Sequence, residues 1–163
     1  IYYFYGLSIT SLLLIILTIF FIIIFFIDLR HFIIPNTLTF PLMFIGFVKS
    51  FDPNLNNFLF PNYINSLIGG IAGYLIIWLI IFAYKKIRNK EGMGLGDAKL
   101  LSAIGFWFGW YSIPFVLFLS SIIALGIALP SLIKKSKSLS SQIPFGPYII
   151  LGITLYIFIK HIV

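Results

Sequence analysis

The chain has 163 residues, of which 61% are hydrophobic and 9% charged, and its mean hydropathy is +1.11. That composition excludes an ordinary soluble domain, and the lack of cysteine excludes disulfides, thiolate metal sites and a cysteine nucleophile. A net charge of +7 sets eleven basic residues against only four acids, so each acid needs a reason.

The first apolar stretch, Gly6–Ile27, is long enough to cross a bilayer. It has no basic start and no small-residue cleavage site, so it reads as a span and not as a signal peptide. The chain opens on Ile1 without Met, as expected for a fragment of a longer protein. Asp28 closes this stretch, and Ile33–Val48 follows as a short second helix. The run Asp52-Pro-Asn-Leu-Asn-Asn predicts a turn-rich loop. Tyr63–Tyr84 is a third span, followed by a basic segment that holds Lys85, Lys86, Arg88, Lys90 and Glu91. The flexible segment Gly92-x-Gly-x-Gly then leads into a short fourth helix, Gly94–Trp110, with Asp97 and Lys99 in its opening turn. Trp107, Trp110 and Tyr111 are expected at the outer membrane interface. Ser112–Ile133 forms a fifth span, Ser136–Gln142 a polar linker, and Phe145–Ile159 the last helix. The expected architecture is therefore an all-α polytopic membrane protein of about six transmembrane helices, one domain over residues 1–163.

Charge asymmetry orients it. With the first span crossing inward, nine of the eleven basic residues fall on one side, namely Arg30, Lys85, Lys86, Arg88, Lys90, Lys99, Lys134, Lys135 and Lys137. That side is the cytoplasm. Lys49 and Lys160 fall opposite, together with Asp52. This arrangement explains the positive charge through orientation and contact with anionic membrane lipids, and no nucleic-acid partner is expected.

Asp28 and Asp97 share the cytoplasmic face, although 69 positions separate them. Ionisable groups at the edge of a span are costly, and therefore functional candidates. Packing the first and fourth helices side by side would let the carboxylates face each other across one water. Such a pair shares protons: one carboxylate takes a proton from water while the other gives one to a carbonyl oxygen. Helix polarity makes the two unlike, since Asp28 ends a helix and Asp97 begins one. The structural readings are that Asp97 caps its helix, that Asp28 pairs with Arg30 or Lys99, and that Gly94 and Gly96 serve only close packing. Glu91 beside Lys90 reads as a solvated ion pair. His31 and His161 carry no metal spacing, so no metal site is expected, and no dinucleotide or P-loop fingerprint passes through the glycines.

Three motifs, Asp28–Thr39 (Asp-Leu-Arg-His-Phe-Ile-Ile-Pro-Asn-Thr-Leu-Thr), Glu91–Leu101 (Glu-Gly-Met-Gly-Leu-Gly-Asp-Ala-Lys-Leu-Leu) and Ile143–Tyr148 (Ile-Pro-Phe-Gly-Pro-Tyr), resemble those of the bacterial type IV prepilin peptidases, intramembrane GxGD aspartyl proteases. The resemblance covers nearly the whole chain. It implies a multi-pass inner-membrane endopeptidase that cuts the leader of type IV prepilins or pseudopilins after a glycine, at the cytoplasmic face. It assigns catalysis to Asp28 and Asp97, and the close approach of substrate backbone to Gly94 and Gly96. Lys99 would help hold Asp97 ionised, while Pro35, Pro144, Gly146 and Pro147 would be structural. Proteolysis of this kind needs no cofactor. Full-length relatives methylate the new N-terminus with S-adenosylmethionine and carry a Cys-x-x-Cys region; without cysteine, the chain is expected to retain proteolysis alone. The alternatives are a catalytically relaxed scaffold and a small ion-coupled transporter component, the latter disfavoured because both acids sit at one face and no inverted repeat is visible.

Overall fold

A computed structural model describes residues 8–55, 59–88, 94–133 and 144–162. Among them are six helices, which we number α1 (Ile9–His31), α2 (Asn36–Val48), α3 (Tyr63–Arg88), α4 (Leu95–Phe108), α5 (Ser112–Ile133) and α6 (Gly146–Ile162). Two single-turn 3-10 helices, Lys49–Phe51 and Pro53–Leu55, follow α2. The expected polar linker 136–142 lies outside the described residues.

Local chemistry sets the ends. Ser8 and Ser11 form a reciprocal capping box at the start of α1, with N–H to Oγ distances of 3.1 and 3.3 Å. The helix closes at Phe32, whose φ of +56° places a non-glycine residue in the left-handed region, and whose N–H bonds the Asp28 carbonyl at 2.9 Å. Pro35 is extended and disfavours a helical residue before it, so α2 begins three residues later than the hydrophobic run predicts. Gly109, at φ +79°, stops α4 in a conformation that side chains resist.

Among the described residues, two helices, Ile9–His31 and Tyr63–Ile87, are long and apolar enough to cross a membrane. At about 1.5 Å per residue, α2 and α4 span about 20 Å, less than the ~30 Å hydrocarbon core. The short α4 is the centre of the fold. Ala98, Leu100, Leu101, Ala103, Ile104 and Trp107 along it are fully buried, enclosed by α3, α2, α6 and α5. The tightest seam is between α3 and α4, where Gly105 meets Gly69 backbone to backbone. Small residues permit that approach in a membrane, where apolar side chains gain little by leaving lipid. Ser66 and Ser102 bridge the same seam, donating to the carbonyls of Phe106 and Gly70 at 2.6 and 2.8 Å.

Of the residues expected at the outer interface, Trp107 is instead inside, and Lys49, expected on that side, is buried with it. Trp107 is fully buried, its indole donating to the Leu42 carbonyl at 2.8 Å, in space left open by Gly46. Lys49 is 5% exposed and reaches inward, its ammonium 2.9 Å from the Trp107 carbonyl and 3.9 Å above the Phe60 ring. It thereby satisfies a carbonyl at the C-terminal end of α4, where a cation is favoured. Trp110 and Tyr111 do remain exposed, stacked with ring centroids 3.8 Å apart.

Candidate active site

Asp28 lies in the last turn of α1 and Asp97 in the first turn of α4; their exposures are 4% and 7%. Both are thus withdrawn from bulk solvent. The arrangement that brings them together differs from the expected one. The first and fourth helices do not lie side by side along their length; α1 rests mainly on α6, and α6 together with α2 carries the contact across to α4.

The N-terminus of α6 completes the site. Its first residue, Gly146, donates its N–H to Asp28 Oδ2 at 3.0 Å. A Cβ on Gly146 would stand 2.7 Å from that oxygen, so only glycine lets the helix end come so near. Helix polarity therefore does not make the two acids unlike: Asp28 ends α1 but faces the N-terminal dipole of α6, as Asp97 faces that of its own α4. Pro147 sits at the second position of α6, where the first turn tolerates proline, and Pro144 lies in the non-helical lead before it.

Ile34 is a participant that motif reading did not single out. It is 9% exposed and sits against both glycine-containing helix starts. Its Cβ would stand 3.0 Å from a Cβ on Gly96 and its Cδ1 3.0 Å from one on Gly146. It wedges the entry of α4 against that of α6. The packing explanation therefore suits Gly96. It does not suit Gly94, which precedes α4 and has open space where its Cβ would be, the nearest atom being 3.8 Å away. Pro35 begins α2 beside this wedge as its N-cap residue.

Lys99 departs from expectation. Its ammonium donates to Asn36 Oδ1 at 2.7 Å and lies over the Phe40 ring, tying α4 to the start of α2. Its contact is with α2 and not with the Asp97 carboxylate. Glu91 and Lys90 lie outside the described residues.

A pair of buried carboxylates with a backbone donor on one of them can hold and activate a water between them. The comparisons bear on the same elements. The type IV leader peptidase family matches residues 15–129, a stretch that includes both aspartates. The chain is 38% identical over 141 residues to a prepilin leader peptidase/N-methyltransferase of Aeromonas hydrophila, covering 85% of this chain and 46% of that protein. Proteins of the same name from Xanthomonas campestris pv. campestris and Pseudomonas aeruginosa are 39% and 34% identical, over 76% and 83% of this chain and 41% and 45% of their own lengths. The chain thus spans about half the length of the curated relatives it matches. No solved structure matches it.

Proposed function

Because the chain belongs to the type IV leader peptidase family, we propose that it is the aspartic endopeptidase part of a prepilin peptidase, cutting prepilin or pseudopilin leaders after a glycine. The observation that carries this reading is the burial of Asp28 and Asp97, from opposite halves of the matched region, at helix ends linked through Gly146 and the Ile34 wedge. In the proposed reaction one carboxylate takes a proton from water as the oxygen attacks the scissile carbonyl. The other protonates the carbonyl oxygen, and the resulting tetrahedral adduct collapses with proton transfer to the leaving nitrogen. The Gly146 N–H keeps Asp28 aimed at that water. The family's activity resides, on this reading, in one membrane-embedded domain with several spans in the bacterial inner membrane. The acids open to the cytoplasmic face, where the basic residues concentrate.

The relatives' names include N-methyltransferase. Methyl transfer from S-adenosylmethionine requires a polar pocket for a charged sulfonium and an adenosine. The cavity between α1 and α6 is lined by leucine, isoleucine, phenylalanine and two threonines whose hydroxyls are bound to their own helices. It does not fit that donor, and no methyl-transfer step is assigned to these residues.

The test is cleavage of a prepilin by the chain in lipid nanodiscs, followed as a mobility shift and by N-terminal sequencing. Asp28→Asn and Asp97→Asn are each expected to lower the rate by about 10^2–10^4-fold while keeping the melting temperature. A folded wild type that leaves the prepilin intact would move the assignment to a scaffold.

A further inference from the structure

A lateral groove of about 440 Å3 runs between α1 and α6, with Phe21, Phe25, Ile150, Thr154 and Ile157 among its lining residues. Both walls aim at the acid site. Along α1, Thr18, Phe21, Phe25 and Asp28 recur at spacings of three, four and three, one face of a helix. Along α6, Ile157, Thr154, Ile150 and Gly146 recur at three, four and four, again one face. The two stripes therefore converge on the hydrogen bond between Gly146 and Asp28. The groove presents an apolar surface, since Thr18 and Thr154 donate their hydroxyls to the carbonyls of Leu14 and Ile150, both at 2.7 Å. These two small side chains, set among phenylalanine and isoleucine, give it depth.

We propose that this α1–α6 groove is the docking site for the apolar helix of the protein substrate, seating it so that the peptide just beyond its end lies at Asp28 and Asp97. The inference rests on the peptidase reading and adds where the substrate's membrane segment binds. A phospholipid is the competing occupant. With its tail in the groove, its phosphate would lie toward the buried Asp28, whose backbone donor, the Gly146 N–H, is already engaged. An uncharged polypeptide end places no charge beside it. Thr154 is eight residues past Gly146, so at about 1.5 Å per residue it contacts the substrate helix about 12 Å, or about eight residues, beyond the cleaved bond.

The test begins with wild-type cleavage of a prepilin in nanodiscs; if wild type does not cut, the peptidase reading falls and takes this proposal with it. If it cuts, Thr18→Phe and Thr154→Phe are compared with it. The expected result is a KM for prepilin raised roughly tenfold with kcat little changed, the pattern of lost ground-state binding. An unchanged KM overturns the proposal and leaves the groove to lipid. Should the bulky variants misfold, cross-linking decides, because the chain has no native cysteine. Thr154→Cys in the Asp97→Asn background is oxidised with prepilins carrying single cysteines along the helix. Disulfides should peak about eight residues after the cleavage site and recur every three to four, and be absent from Phe118→Cys on the outer face of α5. Equal yields at both positions, or none at Thr154→Cys, overturn it.

Discussion

At the residue scale, the contact between Gly146 and Asp28 concentrates the dependence of the site on a single atom's absence. Gly146→Ala forces a methyl group against Asp28 Oδ2. Overpacking of this kind costs about 1–3 kcal/mol, and cleavage should fall because Asp28 must turn aside. Gly94→Ala makes the opposite pairing of effects. Its methyl group enters open space, so the melting temperature should hold, and reduced cleavage would then report substrate backbone passing over that position. Cleavage unchanged in Gly94→Ala would remove Gly94 from the site. Lys49 supplies a pH prediction far from the acids. Burial pushes its ammonium from the ordinary 10.5 down to about 7. Between those values the unfolded chain holds a proton that the folded chain has released, so stability rises with pH across that window. Thermal unfolding of wild type should therefore shift upward from pH 7 to pH 10 relative to Lys49→Met.

At the element scale, α4 is a short helix enclosed by four others. Its position depends on the glycine seam with α3 and on the wedge of Ile34 between the starts of α4 and α6. Gly105→Leu places a side chain on the Gly69 backbone, where no rotamer of a flexible neighbour can yield. It is expected to unseat α4, so that cleavage and thermal stability fall together. This contrasts with Asp97→Asn, which should remove activity alone. Comparing the two by circular dichroism and melting separates loss of the helix from loss of the carboxylate. The left-handed Phe32 belongs to the same scale, because it turns the chain from the last turn of α1 into the non-helical Ile34–Pro35 segment that forms the wedge.

At the scale of the whole molecule, the proposed orientation makes a prediction that needs no substrate. In intact cells, Asn54→Cys between α2 and α3 should react with an impermeant maleimide from outside, and Lys86→Cys at the end of α3 only after permeabilisation. The reverse pattern would put the acids on the wrong face for a cytoplasmic cleavage. The order of six helices was legible in the amino-acid sequence, and the two aspartates and the motif glycines could be singled out there as candidates. Hydropathy marks apolar segments, and in a chain with four acids two carboxylates beside glycine-rich and proline-containing turns stand out. The contacts among them were not. Trp107 reads as interfacial and is buried; Lys49 reads only as a charge on the outer side and is buried against Trp107; Lys99 reads as a partner of Asp97 and bonds Asn36; Ile34 and the Gly146 N–H read as ordinary and meet at the acid site. The physical reason is that lipid and protein interior are alike apolar, so hydropathy cannot tell a side chain facing one from a side chain facing the other. The sequence by itself determined which segments are helical and which acids are costly. Only the packing of α6 and α2 between α1 and α4, across separations as long as the 118 residues between Asp28 and Gly146, decided which polar groups would meet.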